Sequence, residues 1–206
     1  MSRRSLARGA LALWLALGLA GPAAAAHIDL AASDLGGGSV IETDLGPGTL
    51  AFDPAFPGFA PMRLVIQLED GDFGAPIAWN ALVDNLSGEL WGGFSIRLEG
   101  AAWDFVGSAS ANAGAVAGID ADAQAVLVRF APPGEPAGLD LGAAAGTGTD
   151  WRIDLGASTA ASFVMVLAPV AVPEPGLALL VGVGVAGVGA RLSRRRRGSG
   201  GARRAR

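Results

Sequence analysis

Strict alternation of apolar and polar residues is the feature that most constrains how this chain folds. The segment Phe94–Glu99 is FSIRLE, and the segment Asp150–Leu155 is DWRIDL. Successive side chains of a β-strand point to opposite faces, so this period of two predicts strands with one buried and one solvated face. The same reasoning predicts five further strands, namely Met62–Leu68, Ile77–Val83, Trp103–Val106, Gln124–Phe130 and Ser162–Leu167.

Turn-forming residues separate these strands. They occur as Glu69–Asp72, Asn85–Gly88 and Pro132–Gly134, and no stretch of a dozen residues carries a capped helical stripe. Short strands at this spacing indicate an all-β fold, and we expect an antiparallel β-sandwich, jelly-roll-like, over residues 61–171. Residues 27–60 are rich in Gly, Asp and Pro and form either a loose arm or the first hairpin. Asp-Leu-Gly recurs at 34, 44, 140 and 154, but the spacing is too irregular for a repeat.

Residues 1–26 have the organisation of a secretory signal peptide. Arg3, Arg4 and Arg8 precede the apolar run Leu11–Ala20, and small residues follow at 23–26. An apolar run of about ten residues is too short to remain as a membrane span. We therefore expect export across the inner membrane, with cleavage between Ala26 and His27.

A second apolar segment lies near the other end, at residues 177–192. As a helix its 16 residues span about 24 Å, less than the roughly 30 Å of a bilayer core. Four glycines within it further weaken insertion, so a marginal single transmembrane helix is expected. The arginines at the end of this segment and just after it would hold that end in the cytoplasm; they are Arg191, Arg194, Arg195, Arg196 and Arg197.

The helix is introduced by Pro173, Glu174 and Pro175. Each proline biases the residue before it, Val172 or Glu174, toward an extended backbone. Pro-Glu-Pro, a short apolar helix and an arginine cluster together resemble the PEP-CTERM sorting signal of bacterial envelope proteins, over residues 172–197; the basic tail 198–206 extends beyond the usual pattern. The resemblance implies an exosortase as partner, cutting at Val172–Pro175 and releasing the body to the cell surface or medium. It also implies a structural or adhesive role in exopolysaccharide or biofilm, without catalysis.

The body between the two terminal segments is strongly acidic. Residues 27–172 contain 18 acidic residues and four arginines, so the formal charge is −14. Such a body repels nucleic acid and anionic lipid. The chain has no Cys, so its core must hold the domain without disulfides.

Little in the body suggests catalysis. His27 is the single histidine and the chain has no Cys or Lys, which leaves few nucleophile–base pairs. Two carboxylates suffice for glycoside hydrolysis, and Glu89 and Glu99, near Trp91 and Trp103, are the pair to consider for a secreted glycosidase. Acids on the solvated face of a strand are the simpler interpretation, so we expect no enzyme.

Two ligand classes remain open. Asp70 and Asp72, and likewise Asp120 and Asp122, place hard oxygen atoms in turns, as calcium prefers. Calcium is the one cofactor considered, although acids solvated at surface turns are the favoured interpretation. Trp91 beside Gly92-Gly93 is the candidate glycan contact of a carbohydrate-binding module, the alternative to a structural role.

Overall fold

A computed structural model describes residues 25–112, 114–134, 138–144, 149–157 and 160–172, and for 132–134 it describes the backbone alone. The predicted signal peptide up to residue 24, the sorting motif from Pro173 onward, the helix 177–192 and the tail 198–206 lie outside the described residues. None of the described residues belongs to a helix long and apolar enough to cross a membrane.

The described residues form thirteen strands in two sheets, and their order along the chain is β1 (His27–Ile28), β2 (Ser39–Thr43), β3 (Thr49–Phe56), β4 (Met62–Gln67), β5 (Ile77–Asn85), β6 (Trp91–Glu99), β7 (Ala102–Phe105), β8 (Ala109–Ala111), β9 (Val116–Ala121), β10 (Ala125–Gly134), β11 (Gly138–Leu141), β12 (Trp151–Asp154) and β13 (Ser162–Ala171). One 3₁₀ turn, Asp70–Asp72, follows β4.

Sheet A has the order β1-β4-β13-β6-β10-β9, and all its neighbouring strands are antiparallel. The last strand of the fold, β13, therefore lies in the middle of the sheet. Its residue Val166 is paired with Arg63 of β4 on one side and with Arg97 of β6 on the other.

Sheet B has the order β2-β3-β5-β11-β8. On one side, β5 pairs with β12 through its first residues and with β11 through its last, and β12 continues to β7. The pairing of β3 with β5 is parallel, which the antiparallel prediction did not include. Because the chain crosses to sheet A for β4 and then returns, β5 runs in the same direction as β3.

The two sheets pack face to face around one apolar core, which confirms the β-sandwich. Phe94, Ile96 and Leu98 point inward and are buried, whereas Arg97 between them is exposed, as the alternation predicts. For residues 27–60 the sequence predicted either a loose arm or the first hairpin. They form the β2–β3 hairpin and the edge strand β1.

Tryptophan fills one end of this core. The rings of Trp79, Trp103 and Trp151 contact one another with centroids 5.3–5.5 Å apart. Toward the other side, Phe56 of sheet B packs edge-on against Trp91 and Phe94 of sheet A. The tryptophan contacts lie within sheet B and the Phe56 contacts join the two sheets, and together they supply large apolar burial to a domain without disulfides.

Candidate functional site

The carboxyl end of β13 is where the sandwich meets the predicted sorting motif. Ala171, the last residue of β13, pairs with Trp91 of β6, and Val172 is the last described residue. Pro169 is the last buried residue of β13, and Val170 and Ala171 after it are exposed. Every described strand therefore lies before Pro173, where the Pro-Glu-Pro motif begins.

The amino end is built into sheet A. Ala26 is 5% exposed and belongs to the core, and the backbone N–H of Ile28 donates to the Glu42 carboxylate at 2.9 Å. His27 is exposed, with its Nδ1 3.9 Å from Glu69 Oε1. The predicted cleavage bond thus follows a residue whose methyl group is buried in this structure.

Trp91 is fully buried, with 0% exposure, so the prediction that it contacts glycan is wrong. Its ring stacks on Phe94 with centroids 5.8 Å apart. Strict alternation would place Trp91 on the outer face with Gly93, but the pairing shifts by one residue between Gly93 and Trp91. This bulge turns the indole inward, and it needs glycine, because a Cβ on Gly93 would lie 2.6 Å from the Val128 carbonyl oxygen.

The carboxylates considered for glycoside hydrolysis lie far apart. Glu89 precedes β6 and Glu99 ends it, and the nine residues of β6 alone extend about 26 Å. A glycosidase needs its two carboxylates roughly 5–10 Å apart. Glu99 is also paired, at 2.6 Å with Arg97 and 3.5 Å with Arg63. The Glu89–Glu99 pair is therefore wrong as a catalytic site.

The first candidate calcium pair is divided between two environments. Asp72 is 2% exposed, and its carboxylate accepts the backbone N–H groups of Glu69 at 2.8 Å and Gly48 at 3.2 Å. Asp70 is exposed on the same 3₁₀ turn. Asp72 thus closes its own turn and ties it to the β2–β3 loop.

The second candidate pair is likewise engaged by the protein. Asp120 forms an ion pair with Arg129 at 2.7 Å. The Asp122 carboxylate accepts the backbone N–H groups of Gln124 and Ala125 at 2.8 and 2.7 Å, and these bonds lower its pKa. Across the described ranges, no three acidic or histidine side chains come together to hold a metal ion.

A shallow groove of about 490 Å³ lies on the outer face of sheet A, lined among others by Ser95, Arg97, Asp120, Leu127 and Val166. Sequence reasoning missed this face. The available signal was the run Phe163–Ala171, in which no side chain is polar. Such a run differs from every other strand that the alternation predicts.

No protein-family model matches this chain, and neither the curated proteins nor the solved structures include a match to it.

Proposed function

We propose that this protein is exported, held briefly in the membrane by its carboxyl-terminal segment, and then released by an exosortase to serve in the extracellular matrix. The observation that carries the proposal is the position of the motif. The sandwich ends at Ala171, and Pro173 begins the Pro-Glu-Pro motif two residues later. A cut at Val172–Pro175 would therefore leave every described strand on the released body.

The role that follows is structural or adhesive, within exopolysaccharide or biofilm. The body's charge of −14 favours solubility and mutual repulsion after release. Part of that charge lies on the outer face of sheet B, where Asp84, Asp104 and Asp154 point outward. The carbohydrate-binding and glycosidase alternatives each depended on residues that are buried or too far apart, so no observation favours either.

The proposal is tested by changing the motif in a host that carries an exosortase. We expect the wild-type body in the medium or on the cell surface, and the Glu174→Ala variant in the membrane fraction with its tail attached. Glu89→Ala is the matched control, because it removes an exposed glutamate that is not part of the sorting motif in residues 172–197. Equal release of the wild-type and Glu174→Ala proteins would contradict the proposal.

A further inference from the structure

The outer side of β13 carries an unbroken row of small apolar side chains, Val164, Val166, Ala168 and Val170, which we call the valine row. Val170 is 36% exposed, and the other three are half-buried. Their neighbours in sequence point into the core, so β13 is apolar on both faces. Strands of that composition are typical of sheets covered on both sides, yet in one copy of this body the row faces outward.

Ion pairs flank the valine row. Arg97 and Arg63 approach Glu99 at 2.6 and 3.5 Å, and Arg129 approaches Asp120 at 2.7 Å. Three of the four arginines in residues 27–172 therefore lie on this face. Three acids accompany them, namely Glu99, Asp120 and Asp122, the last of which lines the groove with Asp120. The fourth, Arg152, lies on sheet B, where it pairs with Asp104.

This distribution of charge determines which surfaces of two bodies can meet. Each body carries −14, so acidic surfaces repel one another at close approach. The outer face of sheet A combines balanced charge with exposed apolar area. Charge pairs at the rim of such a face also set the orientation of a partner.

We propose that the valine row is the centre of an interface between two copies of this protein, packed sheet A to sheet A about a two-fold axis. In such an interface the same patch serves both copies. The valines of one copy cover those of the other, and the groove beside Val166 receives side chains of the partner. Arg63, Arg97 and Glu99 form the polar rim, where ion pairs can exchange between copies.

The composition of the face selects this partner over others. Anionic lipid or nucleic acid requires an excess of positive charge, and here the arginines are matched by acids. Sugar stacking requires an aromatic ring, and none occurs at the outward positions of β4, β13 and β6.

Val166→Glu is the decisive variant. In the monomer the new carboxylate would lie beside Arg63 and Arg97, its neighbours in register, so folding should tolerate it. At a two-fold interface it would be buried beside the same charge of the partner. The matched control is Ala78→Glu, which places a carboxylate next to Arg152 on sheet B.

The association is measured by analytical ultracentrifugation of the full chain in detergent, with circular dichroism melting as the test of folding. We expect dimers for the wild type and for Ala78→Glu, and for Val166→Glu a dissociation constant raised on the order of 100-fold or more. A wild type that stays monomeric at all concentrations, or a folded Val166→Glu variant that dimerises as tightly, would overturn the proposal.

Single cysteines give a second, independent measurement, because the chain contains no Cys. A cysteine near the two-fold axis faces its own copy. Because stacked sheets lie about 10 Å apart, beyond the reach of a direct disulfide, a bis-maleimide reagent of about that length is used to join the two thiols. Cysteine replaces the residues of the valine row one at a time, with Ala78→Cys as the control. Cross-linking from the row but not from residue 78 is expected; equal cross-linking from residue 78, or none from the row, would refute the interface.

Discussion

At the scale of the residue, many acidic side chains serve the fold by accepting backbone N–H groups. Asp34, Asp44 and Asp154 accept the N–H of the glycine two residues later, at 2.7–3.0 Å. Each of those glycines has a positive φ, which glycine adopts readily. Three of the four Asp-Leu-Gly segments are thus the same tight turn, although they are not a repeat.

Asp72 gives the sharpest prediction at this scale. Asp72→Ala should lower the free energy of unfolding by about 1–3 kcal/mol, because the Asp72 side chain is buried and its loss leaves two partly buried backbone donors without their acceptor. Urea unfolding measures the change.

Asp70→Ala is the matched control, since Asp70 is an exposed acid on the same turn. Its effect should stay within about 0.5 kcal/mol. Equal losses from both variants, or a gain in wild-type stability on adding calcium that either variant abolishes, would instead assign the two carboxylates to a shared ion.

At the scale of the element, the alternation located the strands well because each strand has one face in the core. Phe94–Glu99 and Trp151–Asp154 lie where the period of two placed them. Trp91 shows the limit of this reasoning, because one bulge reverses the phase of alternation. Its position depends on the close approach of Gly93 to β10, a contact between distant parts of the chain.

Strand partners were less predictable than strand positions. β3 pairs in parallel with β5, and β13 lies in the middle of its sheet. Both features depend on which sheet each strand joins, and no local sequence pattern encodes the choice of sheet. The candidate sites failed for a related reason. The sequence around a pair of acids does not indicate which backbone N–H groups and arginines will bind them in the fold.

The turn between β9 and β10 gives a prediction for pH. The pKa of Asp122 lies below its ordinary value because its ionised carboxylate accepts two backbone N–H groups. A carboxyl group whose pKa is lowered by folding stabilises the folded state at pH values above its ordinary pKa of 3.8. That stabilisation is lost as the pH falls through the lower pKa of the folded state.

Asp122→Asn keeps an oxygen acceptor but cannot ionise. Urea midpoints at pH 7 should therefore be higher for the wild type than for this variant, and the difference should shrink at pH 3. A difference of the same size at both pH values would show that the charge of Asp122 contributes nothing to the turn.

At the scale of the whole molecule, charge is separated along the chain. Of its 15 arginines, 11 lie before residue 27 or after residue 172, and 18 of its 19 acids lie between. In the proposed sorting route, the basic terminal segments would insert and orient the chain in the inner membrane. Removing both ends would convert a chain of net charge −4 into a body of −14.

The most direct test of this account is the intact mass of the protein from the cell envelope and from the medium. We predict a released species that begins near Ala26–His27 and ends within Val172–Pro175. Ala26 is buried in the core, and the same mass shows whether this residue is kept or lost at the new amino terminus. A single species confined to the membrane and still carrying Arg191–Arg197 would contradict release by an exosortase.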